Sequence, residues 1–183
     1  MKSLQNKAVL LLCSFFVVVF AVAFAWHRHY PMSVIAGEDS VGTWMSGVLL
    51  VVCAAVSISI GVKENKILWL AFAFFFFVLA CDERFMFHEQ LKEKIIFAFG
   101  STTGLPRWVA ELPVLVGAIV GVFMSYLLWQ LLTGISKFLL VLATVFGAAS
   151  VIIDVMSSGV LWEECFKLTG ELAMTCSLLL KLD

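Results

Sequence analysis

The sequence predicts an all-α fold, a polytopic integral membrane bundle of about six transmembrane helices forming a single domain over residues 1–183. Three observations carry this. The chain is too apolar for water, its apolar residues fall into six runs of membrane-crossing length, and tryptophans mark the ends of those runs. Hydrophobic residues make up 62% of the chain and charged ones 14%, against about 45–50% and about 25% in a soluble domain. A chain of 183 residues has too little interior to hide that much apolar side chain, whereas a bilayer solvates the outside of a bundle.

The runs cover 8–26, 42–61, 67–88, 108–130, 135–157 and 160–181, each near the roughly 20 residues a helix needs to cross hydrocarbon. The first follows Lys2 and Lys7 and closes at Trp26. Its Ala23-Phe24-Ala25 resembles a signal cleavage site. An apolar stretch of about 18 residues is longer than a signal h-region, so a retained helix is expected. A polar connection with His27, His29, Pro31 and Gly37-Glu38-Asp39-Ser40 leads to the second run, which opens near Trp44 and stops at Lys63-Glu64-Asn65-Lys66.

The third run, opened by Trp69, ends in charge at Asp82-Glu83-Arg84. The stretch 89–99 mixes charge with a Leu91, Ile95, Phe99 stripe at spacing four, the pattern of a helix extension or a short helix on the membrane surface. Gly100–Arg107 and Trp108 precede the fourth run and Trp129 closes it; Thr133–Lys137 and Ser157-Ser158-Gly159 punctuate the last two, with Trp162 near the start of the sixth. Tryptophan belongs at such ends because its amphipathic ring prefers the membrane interface.

With the N-terminus inside, inner segments hold Lys2, Lys7, Lys63, Lys66, Lys137 and Lys181, and outer ones Arg28, Lys92, Lys94 and Arg107. That excess favours a cytoplasmic N-terminus. A net charge of −1 and the lack of a basic tract argue against a nucleic-acid partner and leave membrane lipids as the expected surroundings. Cys13, Cys53, Cys81, Cys165 and Cys176 stand singly, as small hydrophobes do.

The acidic residues carry the functional expectation. At about 1.5 Å of rise per residue, Asp82 lies about 22 Å and Glu89 about 33 Å along the third helix from Ile67. Asp154 lies about 26 Å beyond Lys137, and counting back from Lys181 gives about 15 Å for Glu171 and about 26 Å for Glu164. Four helices therefore bring Asp82, Glu83, Glu89, Glu111, Asp154, Glu163, Glu164 and Glu171 into one half of the bilayer. Arg84 and Lys167 are the fixed bases there, with His88 titratable. Asp82 and Glu89, and again Glu164 and Glu171, are seven apart, which places each pair on one helix stripe. Glu163 and Glu164 also suit the first turn of a helix by complementing its dipole.

Buried charge is costly in a bilayer, about 2.5–3.5 kcal/mol per group on insertion scales, so intramembrane acids mark a site. The expected site is metallic. Asp82, Glu89, Asp154, Glu164 and Glu171 would bind a divalent ion (Ca, Mg, Mn, Fe or Zn), His88 and Glu83 would be catalytic, and Lys167 and Arg84 would be counter-charges. The chain would then be a membrane-embedded metalloenzyme acting on a lipid or other amphiphile. A proton- or cation-coupled transporter or channel is the alternative. So is a small subunit that associates with itself or with another membrane protein. HExxH, GxSxG, P-loop, Rossmann and EF-hand patterns are all missing from the sequence.

Overall fold

The structure is a computed structural model, and it describes residues 2–27, 32–35, 40–100, 109, 111–156 and 159–182. The fold is all-helical. Its elements are α1 (Lys2–Trp26), the short α2 (Met32–Ile35), α3 (Val41–Glu64), α4 (Leu68–Phe85), α5 (Phe87–Ile95) running into a π turn (Ile96–Gly100), α6 (Leu112–Leu131), α7 (Gly134–Met156) and α8 (Val160–Lys181).

Among the described residues four helices are long and apolar enough to cross a membrane: Gln5–Trp26 of α1, α3, α6, and Ile135–Met156 of α7. The other two expected spans, α4 and α8, are of similar length but carry charge. Asp82, Glu83 and Arg84 end α4, and Glu163, Glu164, Lys167 and Glu171 occupy the first half of α8.

The long helices run alternately up and down. Gln5 Nε2 donates to the Leu180 carbonyl (3.4 Å), Lys63 Nζ to the Leu182 carbonyl (3.0 Å) and Ser177 Oγ to the Ser136 carbonyl (2.8 Å). Lys181 pairs with Glu64 at 2.9 Å. These bonds gather the start of α1, the end of α3, the start of α7 and the end of α8 at one end, here called basal. The opposite, acidic end holds the close of α4, all of α5 and the starts of α6 and α8.

The core lies toward the basal end, where Ile60, Trp69, Phe72, Leu128, Leu132, Leu140 and Leu178 pack into one buried cluster. In lipid, helices gain little from a hydrophobic force between them and associate through close packing and interhelical hydrogen bonds. Two features fit that economy. A Cβ on Gly170 would stand 3.1 Å from the Ala143 carbonyl oxygen and 3.2 Å from Gly147 N, so the missing side chain is what lets α8 lie against α7. Cys53 Sγ and Thr175 Oγ1 meet at 3.2 Å between α3 and α8, both fully buried.

Local chemistry fixes the ends. Ser40 caps α3, accepting from Thr43 N at 3.1 Å, and Asn65 closes it in the left-handed region (φ 51°). The close of α4 differs from the sequence expectation of one helix over 67–88. Met86 adopts φ 51°, a conformation that costs a non-glycine residue energy. The chain breaks there and restarts as α5, so Asp82 and Glu89 do not share a helix stripe. α5 also turns the other way from its pattern. Leu91 is exposed and Lys92 points inward, 7% exposed. Trp69 is a second departure, because it is fully buried and donates to Glu64 Oε2 at 3.2 Å rather than facing an interface. Trp26, Trp129 and Trp162 are exposed near helix ends as expected, and Trp44 is exposed in the first turn of α3. Trp108 lies outside the described residues.

Candidate functional site: a cavity under a carboxylate layer

Above the basal core lies a half-open cavity of about 510 Å³, lined by α3, α4, α5, α6, α7 and α8. Its walls owe their spread to small residues. Gly117, Ala118 and Gly121 of α6 face Ala143, Gly147 and Ala148 of α7 across it, and a Cβ on Gly117 or Gly121 would meet nothing within 4 Å. Phe75, Phe76 and Leu79 of α4 supply much of the remaining apolar wall. The acidic end is different: Asp82, Glu83, His88, Asp154, Glu163, Lys167 and Glu171 all line it.

Each sequence-derived candidate has a definite place. Asp82 holds His88 twice. Its Oδ1 accepts from the His88 backbone N–H at 2.9 Å and its Oδ2 lies 2.8 Å from His88 Nδ1. One carboxylate thus pins the restart of α5 and orients the imidazole. The Asp82 bond raises the His88 pKa above its usual 6.5, against the opposing effect of partial burial. His88 Nε2 lies 3.4 Å from Glu89 Oε1. Glu83 and Glu164 each lie 2.8 Å from Lys167 Nζ, an ammonium that ties α4 to α8. Glu171 receives a hydrogen bond from Ser46 Oγ on Oε1 (2.8 Å), while its Oε2 is buried with no hydrogen-bond partner among the described residues. Glu163 lines the cavity and makes no ion pair among the described residues. Arg84 is exposed in the last turn of α4.

The sequence reading missed Lys92, which it placed in an outer loop. Lys92 Nζ lies 2.8 Å from Glu111, 3.2 Å from Glu89 and 3.5 Å from Asp154. Burial alone would lower its pKa, but the surrounding carboxylates outweigh it and hold Lys92 charged. It joins α5, the start of α6 and the end of α7. The available signal was two unabsorbed lysines in 89–99, Lys92 and Lys94, beside an acid-rich layer.

Lys92 and Lys167 bear on the metal expectation. Among the described residues no group of three or more His, Cys, Asp or Glu is arranged to hold a metal ion. The five expected ligands are divided instead. Asp82 goes to His88, Glu89 and Asp154 go to Lys92, Glu164 goes to Lys167, and Glu171 goes to Ser46. For Glu89, Asp154 and Glu164 the physical reason is that one ammonium satisfies several carboxylates at hydrogen-bonding distance. Glu89 and Glu164 are also absent from the cavity wall.

What the arrangement offers chemically is a largely apolar, half-open chamber with ionisable groups gathered at its acidic end. The Asp82–His88 pair has the geometry of an oriented acid–base group: one carboxylate holds Nδ1, and Nε2 lies against a second, Glu89.

Residues 7–182 match the family described as a domain of unknown function, DUF8692, and the chain belongs to that family. No curated protein and no solved structure matches it.

Proposed function

We propose that this DUF8692 member is a multi-pass membrane protein, with its N-terminus on the cytoplasmic side, that takes an amphiphile into the central cavity. The apolar tail lies between α4, α6 and α7, and the polar head meets the carboxylate layer. His88, oriented by Asp82, exchanges a proton with that head, with Glu83 beside it as a second acid–base group held by Lys167.

The observation that carries this reading is the two-part character of one chamber. A volume of about 510 Å³ falls within the roughly 300–1,000 Å³ of ligand sites. Its ionisable residues are gathered at one end, and its long sides are mostly apolar, with Phe75, Phe76, Val114, Gly121 and Ile152 interrupted by Ser125 and Thr144. Toward the basal side Ile60, Leu128, Leu140 and Leu178 pack into the buried core.

The test is to purify the protein in mild detergent and identify what stays bound by native mass spectrometry. The wild-type chain should retain an amphiphile in a defined ratio. Gly121→Leu, which places a side chain into open cavity space, should remain folded and lose it. Equal retention by both proteins would mean the bound molecules are annular lipid, and the reading would fall.

A further inference from the structure

We propose that the outer groove between the end of α6 and the start of α7 binds an anionic phospholipid, with its phosphate on Lys137 and an acyl chain along the two helices. This site is separate from the central cavity and does not depend on the function proposed for it.

The groove follows from how the two helices part. Leu128 and Leu132 anchor the end of α6 in the basal core, and Gly134 at a φ of 55° reverses the chain into α7. Beyond that turn Tyr126 and Trp129 of α6 stand opposite Val141, Thr144 and Val145 of α7 across open space. Tyr126, Trp129, Val141 and Val145 are all exposed, so the groove lies on the lipid-facing surface rather than in the core. Thr144 does not make it polar, because its hydroxyl already donates to the Leu140 carbonyl at 2.9 Å. Such a trough suits a hydrocarbon chain.

A second observation specifies the head. Lys137, in the first turn of α7, holds its Nζ 4.6 Å from the centre of the Trp129 ring. An indole face attracts a cation without neutralising it, and tryptophan favours the depth at which lipid heads lie. Lys137 makes no ion pair among the described residues. Glu64, the acid described at this end, is taken by Lys66 at 3.0 Å and Lys181 at 2.9 Å. A fixed, unneutralised ammonium beside an apolar trough complements a phosphate carried on an acyl chain. A choline head would bring a second cation to the same place. Free phosphate would satisfy Lys137 and leave the trough bare.

The probes are two phospholipids with the same diazirine-bearing acyl chain and either a glycerol or a choline head, each diluted into nanodiscs of phosphatidylcholine around the intact protein. After cross-linking, labelled residues are mapped by mass spectrometry. The anionic probe should label Tyr126, Val141 and Val145 about fivefold more than the choline probe, the preference one lysine beside an anionic head supplies. Lys137→Gln should bring that ratio to near one, and Lys137→Arg, which keeps the charge, should preserve it. Lys7→Gln, which removes an exposed charge from the same end, should leave it unchanged. Val141→Trp, which fills the trough from an exposed position, should reduce labelling of Tyr126 and Val145 by both probes. Gly121→Leu should have no effect, because Gly121 does not line this groove.

Equal labelling by the two probes, or an equal loss of preference in Lys7→Gln and Lys137→Gln, would reduce the effect to general surface charge and overturn the site. Competition by soluble glycerol phosphate would mean an anion site without a lipid. Absence of groove labelling by either probe would mean that protein, such as a second copy of the chain, covers this face. Either result would overturn the phospholipid.

Discussion

Asp82 shows how one side chain at this site does structural and chemical work together. It accepts from the first-turn N–H of α5 and from the imidazole of the same residue, His88, so the helix restart and the orientation of the ring depend on one carboxylate. The pH consequence follows from the direction of the His88 shift. His88 is held above its usual 6.5 by Asp82, with Glu89 adding to the effect and burial and Lys92 opposing it. A raised folded-state value means the bond stabilises fully when pH is below about 6.5, and the stabilisation is lost as pH rises through the raised value. Protection of the α5 amides, taken relative to the base-catalysed exchange of an unstructured chain at each pH, should therefore be greatest in mildly acidic solution and fall through neutrality. Asp82→Asn should flatten that profile. An unchanged profile in the variant would mean another group controls the junction. The depth count placed Asp82, Glu83, Glu89, Glu111, Asp154, Glu163, Glu164 and Glu171 in one half, because rise per residue is nearly constant, and Glu89, Glu111 and Glu164 of these do not line the cavity. It could not assign them partners, since pairing depends on which way each helix face turns. Lys92 was hidden for that reason: the Leu91, Ile95, Phe99 stripe implies an inward apolar face, and the structure puts the lysine there instead.

At the level of elements, two contacts decide how the cavity is held open. Close approach of α7 and α8 at Gly147 and Gly170 fixes one wall, while Gly117 and Gly121 keep the α6 wall thin without touching a neighbour. Identical residue types thus have opposite consequences. Gly170→Val should push α8 from α7 and destabilise the protein by about 1–3 kcal/mol, the usual cost of overpacking. Gly121→Leu should leave the unfolding temperature nearly unchanged. A thermal melt of both variants checks this, and a Gly170→Val protein as stable as wild type would show that the interface yields. The elements themselves were readable from the sequence because apolar runs of this length have few alternatives in a bilayer. The spans expected at 42–61 and 160–181 appear as Val41–Glu64 and Val160–Lys181. The break after Phe85 was not readable. Methionine carries no turn signal, and its left-handed conformation at position 86 is imposed by the surrounding contacts, among them the Met86 N–H to the Asp82 carbonyl at 2.7 Å.

The whole molecule is polarised along its long axis, and that polarity bears on how it sits in a membrane. The basal end is sealed by packed side chains and trimmed with Glu64, Lys66 and Lys181, paired on the surface at 2.9 to 3.0 Å. At the opposite end the carboxylate layer is stitched across α4, α5, α6, α7 and α8 by Lys92 and Lys167. If α4 and α8 cross the bilayer alongside the four more apolar helices, the turn at Lys66 and the exposed face of α5 must lie on opposite sides. Their charge does not prevent this, because Lys167 pairs with Glu83 and Glu164 inside the bundle rather than leaving them to face lipid. Single cysteines at Lys66 and Gln90, each compared with the parent chain and treated with a membrane-impermeant maleimide, report the sidedness directly. Gln90→Cys should react in intact cells, and Lys66→Cys only after permeabilisation, as a cytoplasmic N-terminus requires. The reverse pattern would invert the orientation and keep the six crossings. Reaction of both from the same side would mean α4 does not cross, and the cavity would then have to open at a membrane surface rather than within the bilayer.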